Sequence, residues 1–223
     1  ALLGLTYKYK WNNQINLYGQ FVLDEFSLGD IKKSDNSWKN KYGYQLGIKY
    51  YNAFRVSDLL LQLEYNHVRP YVYSHSAPLT NYGHNNQSIG HQWGGNFKEL
   101  IAIARYHKGR YFADAKVTMG TRGLDFDTTE NNFNFGGNIY KDYDENRPFD
   151  TGVKVGQGNK TAVFIADFQW GYLVNPATNL KIFGSYMYRS FDPAKNTVST
   201  FSESTNWLTL GLRADVFNWY FDY

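Results

Sequence analysis

An all-β, antiparallel transmembrane β-barrel is the fold class that this sequence predicts, on three observations. Apolar and polar residues alternate with a period of two through segment after segment, the spacing of a strand with one greasy side. The segments run to roughly nine to twelve residues, near the length that crosses a bilayer at a tilt, whereas soluble strands cluster near five or six. Short and long polar connectors follow one another in turn, as when one rim of a barrel has tight turns and the other has long external loops.

The first segment sets Leu3, Leu5, Tyr7, Tyr9 and Trp11 against Gly4, Thr6, Lys8 and Lys10. Residues 15–25 follow less regularly, with Ile15, Leu17, Phe21 and Leu23 against Asn16, Gln20 and Asp24. In 42–51, Tyr44, Leu46, Ile48 and Tyr50 oppose Gln45, Gly47 and Lys49. In 59–68, Leu59, Leu61, Leu63 and Tyr65 oppose Gln62, Glu64 and Asn66. Residues 98–107 hold an unbroken apolar run from Leu100 to Ile103, which periodicity alone leaves ambiguous. The clearest case is 110–119, where Tyr111, Ala113, Ala115, Val117 and Met119 oppose Phe112, Asp114, Lys116 and Thr118. Then come 161–173, with Phe164, Ala166, Phe168, Trp170 and Tyr172 on one face, and 180–189. A terminal strand sets Leu208, Leu210 and Leu212 against Thr209, Gly211 and Arg213. Tight connectors fall at 11–14, 108–110 and 175–179, and long polar ones at about 26–40, 70–96, 123–159 and 190–204.

That makes nine strands, an odd number, whereas bacterial single-chain barrels close with even ones. An open edge in hydrocarbon costs several kcal/mol for each unpaired backbone group. Either a further strand lies within 123–159, around Phe133, Phe135 and Ile139, or further strands lie upstream. The chain opens at Ala1 without Met or a signal-peptide pattern, which favours the second. Residues 1–223 are therefore expected to be a single barrel domain, the C-terminal part of a larger barrel of about 14–18 strands.

Aromatics make up 19% of the sequence, with 20 Tyr and 16 Phe against 5 Pro. Mean hydropathy is negative and no apolar run is long enough for a spanning helix, which does not exclude strands that alternate lipid-facing and lumen-facing residues. Tyr9, Trp11, Tyr50, Tyr51, Tyr71, Tyr73, Trp170, Tyr172, Tyr186 and Tyr188 gather near strand ends, as interfacial girdles require. Trp207, Phe217, Trp219, Phe221 and Tyr223 are expected as interface anchors and as the C-terminal signal that the barrel assembly machinery reads. The soluble alternative is a β-sandwich edge strand with an aromatic tail. A near-balanced charge of +3 gives no reason to expect nucleic acid, and zero Cys excludes disulfides, thiolate metal sites and a Cys nucleophile.

Residues 16–26 (NLYGQFVLDEF), 78–106 (PLTNYGHNNQSIGHQWGGNFKELIAIARY) and the closing FNWYFDY resemble the Wzi-like capsule-assembly barrels, most of all the RemB-like gliding-motility branch of the Bacteroidota. The most specific block is Asn81-Tyr82-Gly83-His84, Gly90-His91 and Gly94-Gly95-Asn96-Phe97. The resemblance implies a non-enzymatic barrel in the cell outer membrane, without cofactors. It would act at the cell surface in polysaccharide or capsule association, or in gliding motility.

The connector 74–99 is the densest polar stretch of the chain. Amides offer planar hydrogen-bond partners to sugar hydroxyls, and an aromatic face suits the C–H side of a sugar. Asn81, Tyr82, His84, Gln87, His91, Trp93 and Asn96 are the candidate contacts, either for surface polysaccharide or within a loop folded inward as a lumen plug. His75, His84 and His91 lack the close spacing of a metal-ligand pair, so no metal is expected. Asp24-Glu25 and Asp125/Asp127 read as solvated rim charges. Gly136-Gly137 reads as loop punctuation, and Ser88 beside His91 has no nucleophile motif, so no catalysis is expected.

Inward positions Lys8, Lys10, Gln45, Lys49, Glu64, Asp114, Lys116, Asp167 and Arg213 mix both signs. That suits a weakly selective pore or a closed, ion-paired interior. Beside the surface-polysaccharide or motility class stand an accessory subunit of an outer-membrane secretion or assembly complex, and a passive porin or transporter. Expected partners are outer-membrane lipid, surface polysaccharide, other subunits of such complexes and the barrel assembly machinery.

Overall fold

Nine long strands follow one another as neighbours in a single antiparallel sheet of a computed structural model that describes residues 2–214. They are β1 (Leu3–Lys10), β2 (Ile15–Glu25), β3 (Lys41–Tyr51), β4 (Leu59–Val68), β7 (Phe97–Lys108), β8 (Tyr111–Leu124), β9 (Asn159–Asn175), β10 (Leu180–Pro193) and β11 (Glu203–Arg213). A separate two-stranded ladder, β5 (Gly83–His84) with β6 (Gln87–Ser88), lies inside the second long loop. One short helix, α1 (Leu28–Lys33), opens the first long loop behind Ser27, whose hydroxyl accepts from Asp30 N at 3.4 Å. Among the described residues, β1 and β11 each have one neighbour and the sheet stays open.

The ambiguous segment is strand β7, and the count of nine matches the alternation. No strand forms within 125–158, so the alternative of a strand around Phe133, Phe135 and Ile139 falls. Phe135 and Ile139 are instead buried beneath that loop. Connectors 11–14, 52–58, 109–110 and 176–179 lie at one end of the sheet. The long loops 26–40, 69–96, 125–158 and 194–202 lie at the other.

Register assigns each side chain to a face, because a strand's side chains alternate. One row crosses the sheet as Tyr9, Leu17, Ile48, Leu63, Ala102, Val117, Ala166 and Tyr188. Parallel rows on this face add Leu5, Phe21, Leu46, Leu100, Phe164, Phe168, Leu208 and Leu210, and many of these are openly exposed. Between Lys98 and Lys108 on β7, the apolar face carries no Asp, Glu, Lys or Arg on any strand. Those ten residue steps span about 33 Å along the strand, or about 25 Å at a barrel-like tilt.

The opposite face is polar. Its rows include Thr6, Gln20, Gln45, Asn66 and Glu99, and all the mixed-sign positions from Lys8 to Arg213 share it. Trp207 stands here too, opposite Met187 and alternating with Leu208. The sequence grouped it with the interface anchors, and strand parity puts it on the face opposite Leu208. Phe217, Trp219, Phe221 and Tyr223 lie outside the described residues.

The buried core is not between strands but in the long loops. One cluster joins Val72, Tyr73, Trp93 and Ile139 of the loops to Val68, Phe97 and Val163 at the strand ends. A second joins Trp38, Tyr71 and Val153. Tyr71 and Tyr73, expected in an interfacial girdle, are therefore cap residues, enclosed because a loop crossing its own sheet end must bury something apolar to stay there.

Candidate functional site

The long loops fold over the polar face as a cap, and Asn96 is the junction that joins them. Its side chain is fully buried, and its Nδ2 lies 3.0 Å from each of three carbonyls, those of Gly123, Phe135 and Gln157. Two amide hydrogens serve three acceptors, so one bond is shared. Its Oδ1 accepts from Gly156 N at 2.7 Å. Gly123 makes this possible, since a Cβ there would stand 2.1 Å from the Asn96 Nδ2.

Below the cap, His91 fixes the loop to the sheet. Trp93 N donates to His91 Nδ1 at 3.1 Å, which leaves the proton on Nε2 to bond Glu99 Oε1 at 2.7 Å. Asn66 Nδ2 donates to Glu99 Oε1 at 2.8 Å and to Glu64 Oε1 at 3.0 Å. Tyr18 OH donates to Glu64 Oε2 at 2.6 Å and accepts from Gln62 Nε2 at 2.7 Å. This chain of polar groups ties β2, β4 and β7 to loop 69–96 and surrounds a small cavity of ≈ 280 Å³ reaching Lys116 and Asp167.

The third loop is held by an internal cation. Lys141 Nζ reaches Asp125 Oδ2 and Asp127 Oδ1, each at 2.7 Å. Burial pulls its pKa down, but the two carboxylates overcome that and hold it above the ordinary lysine value. Asp125 is buried and also accepts from Phe135 N at 2.7 Å, so the expectation of a solvated rim charge is wrong for this residue. Burial raises the Tyr71 phenol, and pushes that of Tyr73 up to about 12, with Tyr82 and Asp24 adding to it.

Above this floor, loops 69–96, 125–158 and 194–202 enclose a cleft of ≈ 640 Å³. Asn86, Gln87, Ser88, Gln92 and Trp93 line one side, Asn138 and Tyr140 another, and Ser199 and Thr200 the third, over Arg122 of β8. Three buried polar atoms without a partner in the protein, Ser88 Oγ, Arg122 Nε and Tyr140 OH, belong to this lining. Buried polar groups are ordinarily satisfied, so their concentration marks a place suited to a polar ligand. Amides, hydroxyls and the faces of Trp93 and Tyr140 suit a hydroxyl-rich molecule.

Of the sequence-predicted contacts, Gln87 and Trp93 line this cleft, although Trp93 is only 7% exposed. Asn96 is enclosed and saturated, so it is a structural junction and cannot meet a ligand. His91 is spent on Glu99, and Tyr82 stacks on Tyr73 at 5.6 Å. Asn81 caps a turn over Pro78–Thr80, and His84 is exposed in the β5–β6 ladder. Among the described residues, no three His, Asp or Glu side chains are grouped to hold a metal ion. Sequence reasoning missed Ser88, Arg122, Asn138, Tyr140, Ser199 and Thr200. The loops holding the last four read as featureless polar connectors, and only contacts across more than fifty residues bring them to Gln87.

Compared with known proteins, the chain matches no protein-family model, no curated protein and no solved structure.

Proposed function

We propose that this chain forms the wall and external cap of an outer-membrane β-barrel that acts at the cell surface, in polysaccharide or capsule association or in gliding motility, without catalysis. The observation that carries the proposal is the pairing of the two faces. An uncharged apolar face runs through every strand over about 25 Å, the height of a barrel's lipid-facing band, and the opposite face is polar and capped at one end only. Water has no use for Leu208, Leu210 and Leu212 at 67%, 79% and 72% exposure, whereas hydrocarbon does. Tight turns at the other end are the expected periplasmic rim.

On this reading the polar cleft faces outward and takes a segment of surface glycan. Gln92→Ala with Asn138→Ala removes two lining amides without touching the Asn96 junction. The double variant should lower retention of cell-surface polysaccharide by the purified, bilayer-inserted protein while leaving heat-modifiable folding unchanged. Undiminished retention, together with steady ion conduction through single molecules in planar bilayers, would return the function to a passive porin. A second reading, an accessory subunit of a larger outer-membrane complex, draws support from the open edges of β1 and β11, and copurified partners that survive removal of glycan would favour it.

A further inference from the structure

We propose that the polar cleft is selective for acidic glycan, with the carboxylate of one uronic acid residue held by Arg122 of β8. The inference rests on the surface-polysaccharide reading and narrows it to one class of sugar.

Arg122 is a half-buried cation without an anion. It lines the cleft, its Nη2 donates to the neutral carbonyl of Trp93 at 3.2 Å, and its Nε is buried with no partner. Among the described residues, no carboxylate lies within salt-bridge distance of its guanidinium. A charge drawn out of water is ordinarily paired, so this one marks a place for an anion.

Register and Trp93 explain why Glu99 does not serve as that anion. Across β7 and β8, Arg122 pairs with Phe97 and Gly120 pairs with Glu99, so Arg122 and Glu99 are diagonal neighbours on the polar face. Such neighbours lie about 7–8 Å apart, within reach of long side chains. The indole of Trp93 fills that diagonal. A Cβ on Gly120 would stand 2.7 Å from an atom of the ring and 3.0 Å from Glu99 Cβ. The Arg122 guanidinium lies 5.5 Å from the ring centre, and the Phe97 ring stands 5.5 Å away on the other side. Glu99 turns instead to Asn66 and His91. From beyond the indole it still attracts the guanidinium, while Arg189 of β10 adds a second positive charge near it. Trp93 thus keeps a buried anion and a cation apart, and the cation is left to the cleft.

The rest of the lining fits the sugar that carries the carboxylate. Gln87, Gln92 and Asn138 supply amides, and Ser88 Oγ and Tyr140 OH are buried without partners. Asp125 and Asp127 of loop 125–158 also line the cleft, and Lys141 binds each of them at 2.7 Å. Two carboxylates outnumber that one ammonium, so this side repels a second acid. A glycan with one acidic residue at Arg122 and neutral residues beside it satisfies both sides.

The test compares cell-surface polysaccharide before and after carboxyl reduction, which turns uronic acids into neutral hexoses and leaves the linkages intact. The full chain, inserted in vesicles of phosphatidylcholine, should bind the native form about tenfold or more tightly than the reduced one. Arg122→Gln should bring the native form down to the level of the reduced one, and Arg122→Lys should keep part of the preference. Arg55→Gln, in the turn at the opposite end of the sheet, should change neither. Added salt should weaken wild-type binding of the native form and not of the reduced form, a readout that needs no variant. Equal binding of the two forms by the wild type, or a preference that survives Arg122→Gln, would overturn the acidic site and leave the polysaccharide reading standing. Binding of neither form would overturn both.

Discussion

Asn96 shows how much one side chain can hold in a loop cap. Removing its amide takes the side-chain donor from the carbonyls of Gly123 and Gln157 and the acceptor from Gly156 N–H, while the Phe135 carbonyl keeps Gln157 Nε2 at 3.1 Å, at about 1–3 kcal/mol for each buried group left unmade. Asn96→Ala should therefore destabilise the cap by about 3 kcal/mol or more, seen as protease cleavage within 125–158 while the strands stay folded. A fall in ligand binding by that variant would report the collapse of the cleft and not a lost contact. Ionisation adds a second test. The Tyr73 phenol is raised to about 12 and that of Tyr71 is raised as well, as is the Lys141 ammonium. Folded values above unfolded ones contribute stability that is complete below about pH 10 and is lost as pH climbs through the folded values. The cap should loosen between about pH 10 and pH 12. Tyr73 donates no hydrogen bond through its hydroxyl in the described contacts, so Tyr73→Phe should change little at neutral pH and should blunt the alkaline loss by about 2 kcal/mol. Protease susceptibility of the cap against pH measures both.

The strands make a sharper claim, because one step along a strand moves a side chain from the apolar face to the polar one. Phe168 of β9 is 44% exposed on the apolar face and pairs with Ala115 and Tyr186, whereas Gln169 points to the polar side with Asp114 and Ser185. On the membrane reading, Phe168→Arg should cost about 2–4 kcal/mol near the midplane, and Gln169→Arg should cost less than about 1 kcal/mol. Chemical unfolding from lipid vesicles gives both numbers, and equal costs would remove the lipid from the apolar face. The connectors behave differently from the usual expectation for loops. Trp38, Tyr71, Val72 and Trp93 are as buried as any core residue, so insertions there should be tolerated poorly compared with insertions at 176–179.

At the scale of the molecule, strand parity limits how the sheet can close. In an antiparallel meander of nine strands, β1 and β11 run in the same direction. Joining them to each other, or to those edges of a second copy, would demand a parallel pair, which antiparallel barrels lack. On the proposed barrel reading, closure needs an odd number of further strands, which makes the total even. The chain has no Cys, so introduced pairs report cleanly. Ile48→Cys with Leu63→Cys, opposite one another in β3 and β4, should form a disulfide in the assembled protein. Leu5→Cys with Leu210→Cys should not, and a cross-link between that pair would refute the parity argument.

The alternation of side chains was legible in the sequence because it is local: a pleated strand turns each residue away from its neighbours, so period two writes the two faces directly into the chain. From it came the nine strands, the mixed polar face from Lys8 to Arg213, and the alternation of short and long connectors. Even the run Leu100–Ile103 is resolved only by its partners, since its odd positions meet a polar face that the loops cover. The cap was not legible, and neither was the cleft. The bonds of Asn96 join residues 27, 39 and 61 positions away, and Lys141 reaches carboxylates 16 and 14 positions back. No periodicity encodes such pairings, because each depends on where two irregular backbones meet after the sheet has brought their ends together. Sequence alone thus determined what each strand shows on its two faces. Tertiary structure decided that Asn96 and Trp93 hold the cap, and that Arg122, Asn138, Tyr140 and Thr200 share a site with Gln87.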